Sequence, residues 1–161
     1  MRRMQVLGKP MRTIRPLTDE GAVEIIDQTA LPHAFRLLRL SSLDDALRAI
    51  VDMQVRGAPL IGVTAAYGLA MALAERADDA HLHAAHAALA ATRPTAVNLH
   101  WALRRVYQRV HGLAPAARAA AAWREAAAIA EEDVEQCRRI GEHGLRLLRA
   151  CCPPARRWRL M

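Results

Sequence analysis

The chain has 161 residues and a formal net charge of +7, with 53% hydrophobic residues and only 4% aromatic ones. This length allows one domain, or one domain with a fragment of another, and excludes two full domains. A charged fraction of 24% and a mean hydropathy of -0.01 exclude a disordered chain. Abundant alanine predicts a mainly helical protein. The longest apolar run, residues 60–73, falls short of the roughly 20 residues that a bilayer needs and predicts a buried helix of a soluble protein.

The N-terminal residues and the cysteines indicate the cellular compartment in which the protein is expected. The basic opening, residues 1–4, is not followed by an apolar segment or a small-residue cleavage site, so no secretory signal is expected. Cys137, Cys151 and Cys152 are an odd number without zinc-type spacing, which predicts reduced thiols. We therefore expect a cytoplasmic protein.

The first forty residues have a β-type pattern. Two short β-prone runs, residues 23–26 and 35–40, are separated by the connection 29–33, which predicts an antiparallel pair. Pro10 and Pro16 punctuate the preceding stretch, which predicts an extended edge or a loop. A small β-element over residues 1–40 follows.

The remainder has helical spacing. Ser41 and Ser42 are typical N-cap residues, and acids in the next turn favour a helix that runs to about residue 54. Four more helices are predicted, over residues 59–76, 80–91, 97–112 and 115–148. The helix over 59–76 is expected at the centre of the bundle. The helix over 115–148 is expected to be interrupted at Gly141 and Gly144. The expected fold is α+β and mainly α, with a helical bundle over 41–150 and one domain over 1–150. Residues 151–161 have no helical or strand periodicity and predict an irregular tail.

The sharpest local signal is the stretch from Arg56 to Gly62. Gly57 lets the backbone approach a ligand, Pro59 suits the first turn of a helix with free N–H groups, and Arg56 can pair with an anion. This combination predicts a phosphate cradle. The alternative is an ordinary loop in which Gly57 separates two helices.

Arg93 is a second candidate for the same anion, because Pro94 holds it in a loop just before a helix. Asn98 and Trp101 follow within the first turns of that helix. Their simpler interpretations are a polar residue early in a helix for Asn98 and a core residue for Trp101.

Three other groups carry weaker signals. His81, His83 and His86 lack the further ligands of a metal site, so no metal is expected. Glu142 and His143 lie between two glycines, and the favoured interpretation is a helix end with a solvated histidine. Cys137 beside an arginine is interpreted as a small hydrophobe.

The basic charge raises the question of nucleic acid. The 23 basic residues are scattered and interleaved with acids, and few aromatic residues accompany them. The distribution favours a solvated arginine-rich surface, so nucleic-acid binding is not expected.

Four segments together resemble a known family. The segments are residues 24–32, 55–62, 93–99 and 140–144. In this order they are similar to the N-terminal part of the S-methyl-5-thioribose-1-phosphate isomerases. The wider group includes the regulatory subunits of eukaryotic initiation factor 2B and ribose-1,5-bisphosphate isomerase.

The resemblance implies a methionine-salvage isomerase that converts an aldose 1-phosphate into its ketose without a cofactor. It implies that Arg56, Gly57, Ala58 and Arg93 contact the substrate, and that the full-length protein can be a homodimer. The resemblance places the catalytic cysteine, in a Thr-His-Cys-Asn type motif, and the catalytic aspartate in a second, Rossmann-like domain. Neither motif occurs in these 161 residues.

We therefore expect no catalytic residue here and no turnover by this chain alone. An alternative is a regulatory or binding module related to the initiation-factor subunits. The segment from Asp27 to Pro32 favours the isomerase branch.

Overall fold

A computed structural model describes residues 5–6, 8–17 and 20–151. In chain order the elements of this part are β1 (Gln5–Val6), β2 (Lys9–Pro10), β3 (Ile14–Leu17), β4 (Ala22–Ile26), β5 (Leu37–Leu40), α1 (Leu43–Val51), α2 (Ala58–Glu75), α3 (Asp79–Thr92), α4 (Val97–Val110) and α5 (Pro115–Cys151). The predicted mainly helical α+β class is confirmed. The predicted tail lies, apart from Cys151, outside the described residues.

The N-terminal sheet has the order β3-β4-β5, with both pairs antiparallel. In the register, Ile25 lies opposite Ile14 on one side and Leu38 on the other. The predicted pairing of the two β-prone runs is therefore confirmed, although the second strand begins at Leu37 and leaves Phe35 outside. Pro16 lies on β3, an edge strand, where a missing N–H does least harm.

Side-chain caps explain where α1 and α3 begin. The Ser42 hydroxyl accepts a hydrogen bond from the Asp45 N–H at 3.1 Å. The Asp78 carboxylate accepts one from the His81 N–H at 2.9 Å. Both helix starts agree with the sequence prediction, because a capping side chain is a local signal. The first helix ends at Val51, three residues before the predicted end.

α2 is the central helix of the bundle, as predicted, and packs against α1, α3, α4 and α5. Its 18 residues agree closely with the predicted helix over 59–76. By length and composition alone it could cross a membrane, but 72% of it is buried inside this protein. Burial on all sides explains why α2 has no polar face.

α5 is a single helix of 37 residues, so the predicted interruption at Gly141 and Gly144 is wrong. A glycine costs a helix only about 1 kcal/mol, which neighbouring residues can offset. Arg138 pairs with Glu135 one turn before it and with Glu142 one turn after it, across the first of these glycines. His143 is exposed, as expected, but it lies within the helix and not at its end.

An ion pair joins the N-terminal segment to α5. The Arg12 guanidinium contacts the Glu131 carboxylate at 2.6 Å, and a second hydrogen bond between them measures 3.1 Å. The two residues are 119 positions apart in sequence. The β-element is thereby anchored beside the middle of α5.

Candidate functional site

The structure brings the starts of α2 and α4 together. Gly62 lies in the second turn of α2, and Asn98 is the second residue of α4. A Cβ atom added at Gly62 would lie 2.8 Å from the Asn98 carbonyl oxygen, which is closer than any side chain tolerates. The two sequence motifs, separated by more than thirty residues, therefore meet at one place.

These two helix starts lack the caps found elsewhere in the described part of the chain. Gly57 and Ala96 are the N-cap residues of α2 and α4, and neither offers a side-chain hydrogen bond. Neither helix has an acid in its first turn, whereas α1 and α3 have both features. Gly57 has a φ of +91°, in the region that favours glycine, and it is exposed. The positive ends of both helix dipoles are left uncompensated, which suits an anion.

Arg56 and Arg93 stand at the entrances to these two helices. The exposed Arg56 donates from Nε to the Met53 carbonyl at 3.3 Å. Arg93 is partly buried, and its own carbonyl accepts a hydrogen bond from the Ala96 N–H at 3.0 Å. Neither guanidinium has a carboxylate partner among the described residues. Both positive charges are therefore available to a ligand. Ala58, the first residue of α2, is exposed.

A groove of about 330 Å³ extends from the starts of α2 and α4 to the middle of α5. It is lined by Pro59, Gly62, Val63, Val97, Asn98, Trp101, Ile129, Glu132, Asp133 and Gln136. Trp101 is 47% exposed, so its interpretation as a core residue is wrong. α4 turns that side of the helix away from the bundle, because Ala102, Leu103 and Val106 supply the buried face.

The α5 side of the groove was not predicted from the sequence, where its acids were noted only as residues interleaved with arginines on a solvated surface. Arg105 on α4 donates to Glu125 at 2.6 Å and to both oxygens of Glu132 at 2.5 and 2.7 Å. These hydrogen bonds raise the pKa of Arg105 and hold the pKa of the Glu132 carboxyl below its usual value. Glu125 and Glu132 are seven residues apart, two helical turns, which is the only signal of this arrangement in the sequence.

His81, His83 and His86, which were not expected to bind a metal, lie in two different environments. His83 and His86 surround the Tyr107 ring at centroid distances of 5.8 and 5.5 Å, while the Arg76 guanidinium contacts His81 Nδ1 at 3.2 Å. In the described part of the chain, no group of three or more potential ligand residues has an arrangement that could hold a metal ion.

Within the same described residues, Cys137 and Cys151 are exposed free thiols. Cys137 therefore does not pack as a buried hydrophobe.

Comparison with known proteins identifies the family. Residues 54–150 match the family described as the initiation factor 2 subunit family. The chain belongs to this family. The matched region contains both motifs of the site and all of α2 to α4, so the site described above is part of the family's own fold.

The curated relatives of this family member include several isomerases. A methylthioribose-1-phosphate isomerase of Dechloromonas aromatica (strain RCB) is 60% identical over 144 residues, covering 89% of this chain and 40% of the relative. One of Methylorubrum populi (strain ATCC BAA-705 / NCIMB 13946 / BJ001) is 60% identical over 145 residues, covering 90% of this chain and 40% of the relative. The chain thus spans about 40% of the length of these relatives. An uncharacterized protein in the petC 3' region of Rhodospirillum rubrum is 51% identical, covering 91% of this chain and 79% of that protein.

Two solved structures share the fold of this family member. The 5-methylthioribose 1-phosphate isomerase of Pyrococcus horikoshii OT3 matches with a TM-score of 0.70 and 34% identity, covering 77% of this chain and 37% of that one. The translation initiation factor eIF-2B, subunit delta, from A. fulgidus matches with a TM-score of 0.77 and 36% identity, covering 86% of this chain and 42% of that one. The fold is therefore common to proteins named as enzymes and as initiation-factor subunits.

Proposed function

We propose that residues 1–150 form the N-terminal, phosphate-binding domain of a methylthioribose-1-phosphate isomerase. The observation that carries this proposal is the convergence of two uncapped helix starts, each preceded by an arginine without a carboxylate partner in the described chain. Identity of 60% to proteins that are named methylthioribose-1-phosphate isomerase supports the substrate. A cytoplasmic location belongs to the same proposal.

In the proposed complex the substrate phosphate lies at the starts of α2 and α4. Arg56 and Arg93 supply guanidinium groups, which pair well with phosphate oxygens through two parallel hydrogen bonds. Gly57 and Ala58 supply backbone N–H groups, and Gly57, whose positive φ favours glycine, has no side chain to block the phosphate. The buried Leu60 lies in the same first turn of α2, and apolar surroundings of this kind strengthen charged contacts.

The proposed reaction converts an aldose 1-phosphate into the corresponding ketose without a cofactor. Because the anomeric oxygen carries the phosphate, the sugar ring does not open as it does in a free sugar. Moving hydrogen between C2 and C1 then requires catalytic groups and a site closed to water. The groove is open to water on one side, since Val97 and Trp101, which line it, are exposed. We therefore propose that the 161-residue chain binds the sugar phosphate and does not turn it over alone.

The test is a titration of the 161-residue chain with methylthioribose 1-phosphate, followed by amide chemical shifts in solution. We expect shifts at residues 57–62 and 93–98 and a Kd in the high micromolar to millimolar range. The double variant Arg56→Ala, Arg93→Ala should bind at least about tenfold more weakly, since each charge-assisted hydrogen bond contributes about 1.5–3 kcal/mol.

The double variant Arg146→Ala, Arg149→Ala is the matched control, because it removes the same two charges from exposed positions on α5. It should bind like the parent chain. Equal binding by the Arg56, Arg93 double variant would contradict the assignment of the phosphate site. Isomerase turnover by the purified 161-residue chain would contradict the proposed inactivity.

A second candidate is a regulatory or binding module without catalytic function, favoured by the higher TM-score of 0.77 to the A. fulgidus subunit. Co-expression with the remaining C-terminal part of the Dechloromonas aromatica relative separates the two candidates. Recovery of isomerase activity supports the enzyme. A stable complex that binds no sugar phosphate supports the regulatory module.

A further inference from the structure

One wall of the groove consists of large apolar side chains that the fold leaves uncovered. Val97 is 77% exposed and Trp101 is 47% exposed, and both lie on α4 one helical turn apart. Val63 and Ile129, which also line the groove, are buried. A concave pocket with an exposed aromatic wall is typical of a site for an apolar part of a ligand.

The Trp101 ring is held in place before any ligand arrives. The Arg105 guanidinium lies over this ring at 5.4 Å from its centroid. Arg105 is itself fixed by Glu125 and Glu132, its two carboxylate partners on α5. A ring whose orientation is fixed on one side binds without a large loss of side-chain entropy.

The opposite wall carries negative charge. Asp133 and Glu132 line the groove from α5, and Asp133 has no hydrogen bond or ion pair within the described part of the chain. Carboxylates accept hydrogen bonds from sugar hydroxyls and repel a second anionic group. The groove therefore suits a sugar that has one phosphate, at the helix starts, and an uncharged group at its other end.

We infer that the wall formed by Val97 and Trp101 receives the alkylthio group of the substrate, and that Asp133 rejects a second phosphate in its place. This inference rests on the proposed function, because Pro59 and Asn98 place the groove against the two helix starts that hold the phosphate there. Thioether sulfur makes favourable contacts with aromatic rings, and the methyl group gains from leaving water. Trp101 is thus a specificity-determining residue for an apolar substituent at C5.

The experiment compares three ligands by NMR titration of the 161-residue chain, with the Trp101 indole N–H as the reporter. Methylthioribose 1-phosphate should bind about tenfold more tightly than ribose 1-phosphate, from the combined sulfur contact and methyl burial. Ribose 1,5-bisphosphate should not bind more tightly than ribose 1-phosphate, despite its greater charge. The indole N–H signal should shift with the thio compound only.

Three variants test the role of the ring. Trp101→Ala should bind methylthioribose 1-phosphate and ribose 1-phosphate with about equal affinity. Trp101→Phe should keep most of the preference for methylthioribose 1-phosphate. Ile140→Ala is the matched control, because Ile140 is an exposed apolar residue of α5 outside the groove and should leave the ratio unchanged. Asp133→Asn should strengthen binding of the bisphosphate relative to the monophosphate.

The outcomes distinguish this inference from the proposed function. If all three ligands bind but Trp101→Ala keeps the preference for the thio compound, the inference is wrong and the phosphate site stands. Equal affinity of the parent chain for the thio compound and ribose 1-phosphate overturns the inference in the same way. Failure of all three to bind overturns the proposed function and the inference together.

Discussion

Gly62 and Asn98 touch so closely that the two helices of the site have no room for a side chain between them. An added Cβ at Gly62 would lie 2.8 Å from the Asn98 carbonyl oxygen and 3.4 Å from the Ala102 methyl group. The contact sets the distance between the starts of α2 and α4, and both residues line the groove.

Gly62→Ala should both destabilise the protein and weaken ligand binding. The new methyl group forces α4 away from α2, and such overpacking costs about 1–3 kcal/mol. Urea denaturation followed by circular dichroism measures the loss, and titration with methylthioribose 1-phosphate measures the effect on the site. Gly144→Ala is the control, because a Cβ there meets nothing within 4 Å. It should stabilise the helix by about 0.5–1 kcal/mol.

Arg118 is a buried cation that holds three chain segments together. It is only 4% exposed, and it donates to the carbonyl oxygens of Leu113 at 3.0 Å, Ala77 at 2.9 Å and His111 at 3.1 Å. Arg118→Met leaves these carbonyls without the donor and should cost about 2–4 kcal/mol, measured by urea denaturation.

Substitution of Asp79, the ion-pair partner of Arg118, should destabilise the protein much less. Asp79 contacts the Arg118 guanidinium at 2.6 Å, but the Asp79 side chain is 75% exposed. Asp79→Asn should therefore change the free energy of unfolding by less than about 1 kcal/mol. A loss as large as that of Arg118→Met would show that the ion pair, and not the carbonyl contacts, is the main contribution.

Tyr67 places a hydroxyl group in the core without a hydrogen-bond partner in the described part of the chain. Its ring packs against Trp123 at a centroid distance of 5.3 Å. Tyr67→Phe removes the unsatisfied group and keeps the ring, so it should stabilise the protein by about 1 kcal/mol. Thermal unfolding measures this gain. A loss of stability would contradict the prediction and show that the Tyr67 hydroxyl makes a hydrogen bond in the folded protein.

The same burial predicts the alkaline behaviour of the protein. Burial raises the pKa of Tyr67 to about 12, above the ordinary value of 10.0. The unfolded chain therefore releases this proton at a lower pH than the folded protein, and stability falls as the pH rises from about 10 to about 12. The fall should be smaller in Tyr67→Phe, and ultraviolet titration of the folded parent should show a tyrosine that ionises near pH 12.

Protonation of His86, where α3 packs against α4, should destabilise the folded protein at acid pH. Burial lowers the pKa of its imidazole, and the charges of His100 and His83 lower it further. The unfolded chain then binds a proton more readily than the folded protein, so stability is full above about pH 6.5 and falls as the pH decreases below it. The Tyr107 ring on α4 packs against His86 edge to face, with ring centroids 5.5 Å apart.

His86→Gln removes this titration and should reduce the loss of stability between pH 7 and pH 5, measured from urea midpoints at each pH. His143→Gln is the control, because His143 is exposed on α5. An identical pH dependence in the parent chain and in His86→Gln would show that other groups cause the acid sensitivity.

Local signals allowed much of this fold to be predicted. The caps Ser42 and Asp78 mark helix starts because a side chain and a backbone N–H two or three residues away suffice for the contact. The pairing of β4 with β5 was predicted because two short apolar runs are joined by a short connection. The glycines of α5 were misleading, because a single glycine costs a helix little and charged pairs one turn apart support the helix across Gly141.

By itself the sequence determined the mainly helical class, the order and approximate bounds of the five helices and of the β4–β5 pair, and the two motifs with Arg56 and Arg93, since each depends on neighbouring residues. Only the tertiary structure decided that these motifs meet, that Trp101 faces a groove and that Arg105 bridges to α5. Spacing along one helix shows which residues share a face. It does not show which face the rest of the chain covers, because that depends on packing between elements far apart in sequence.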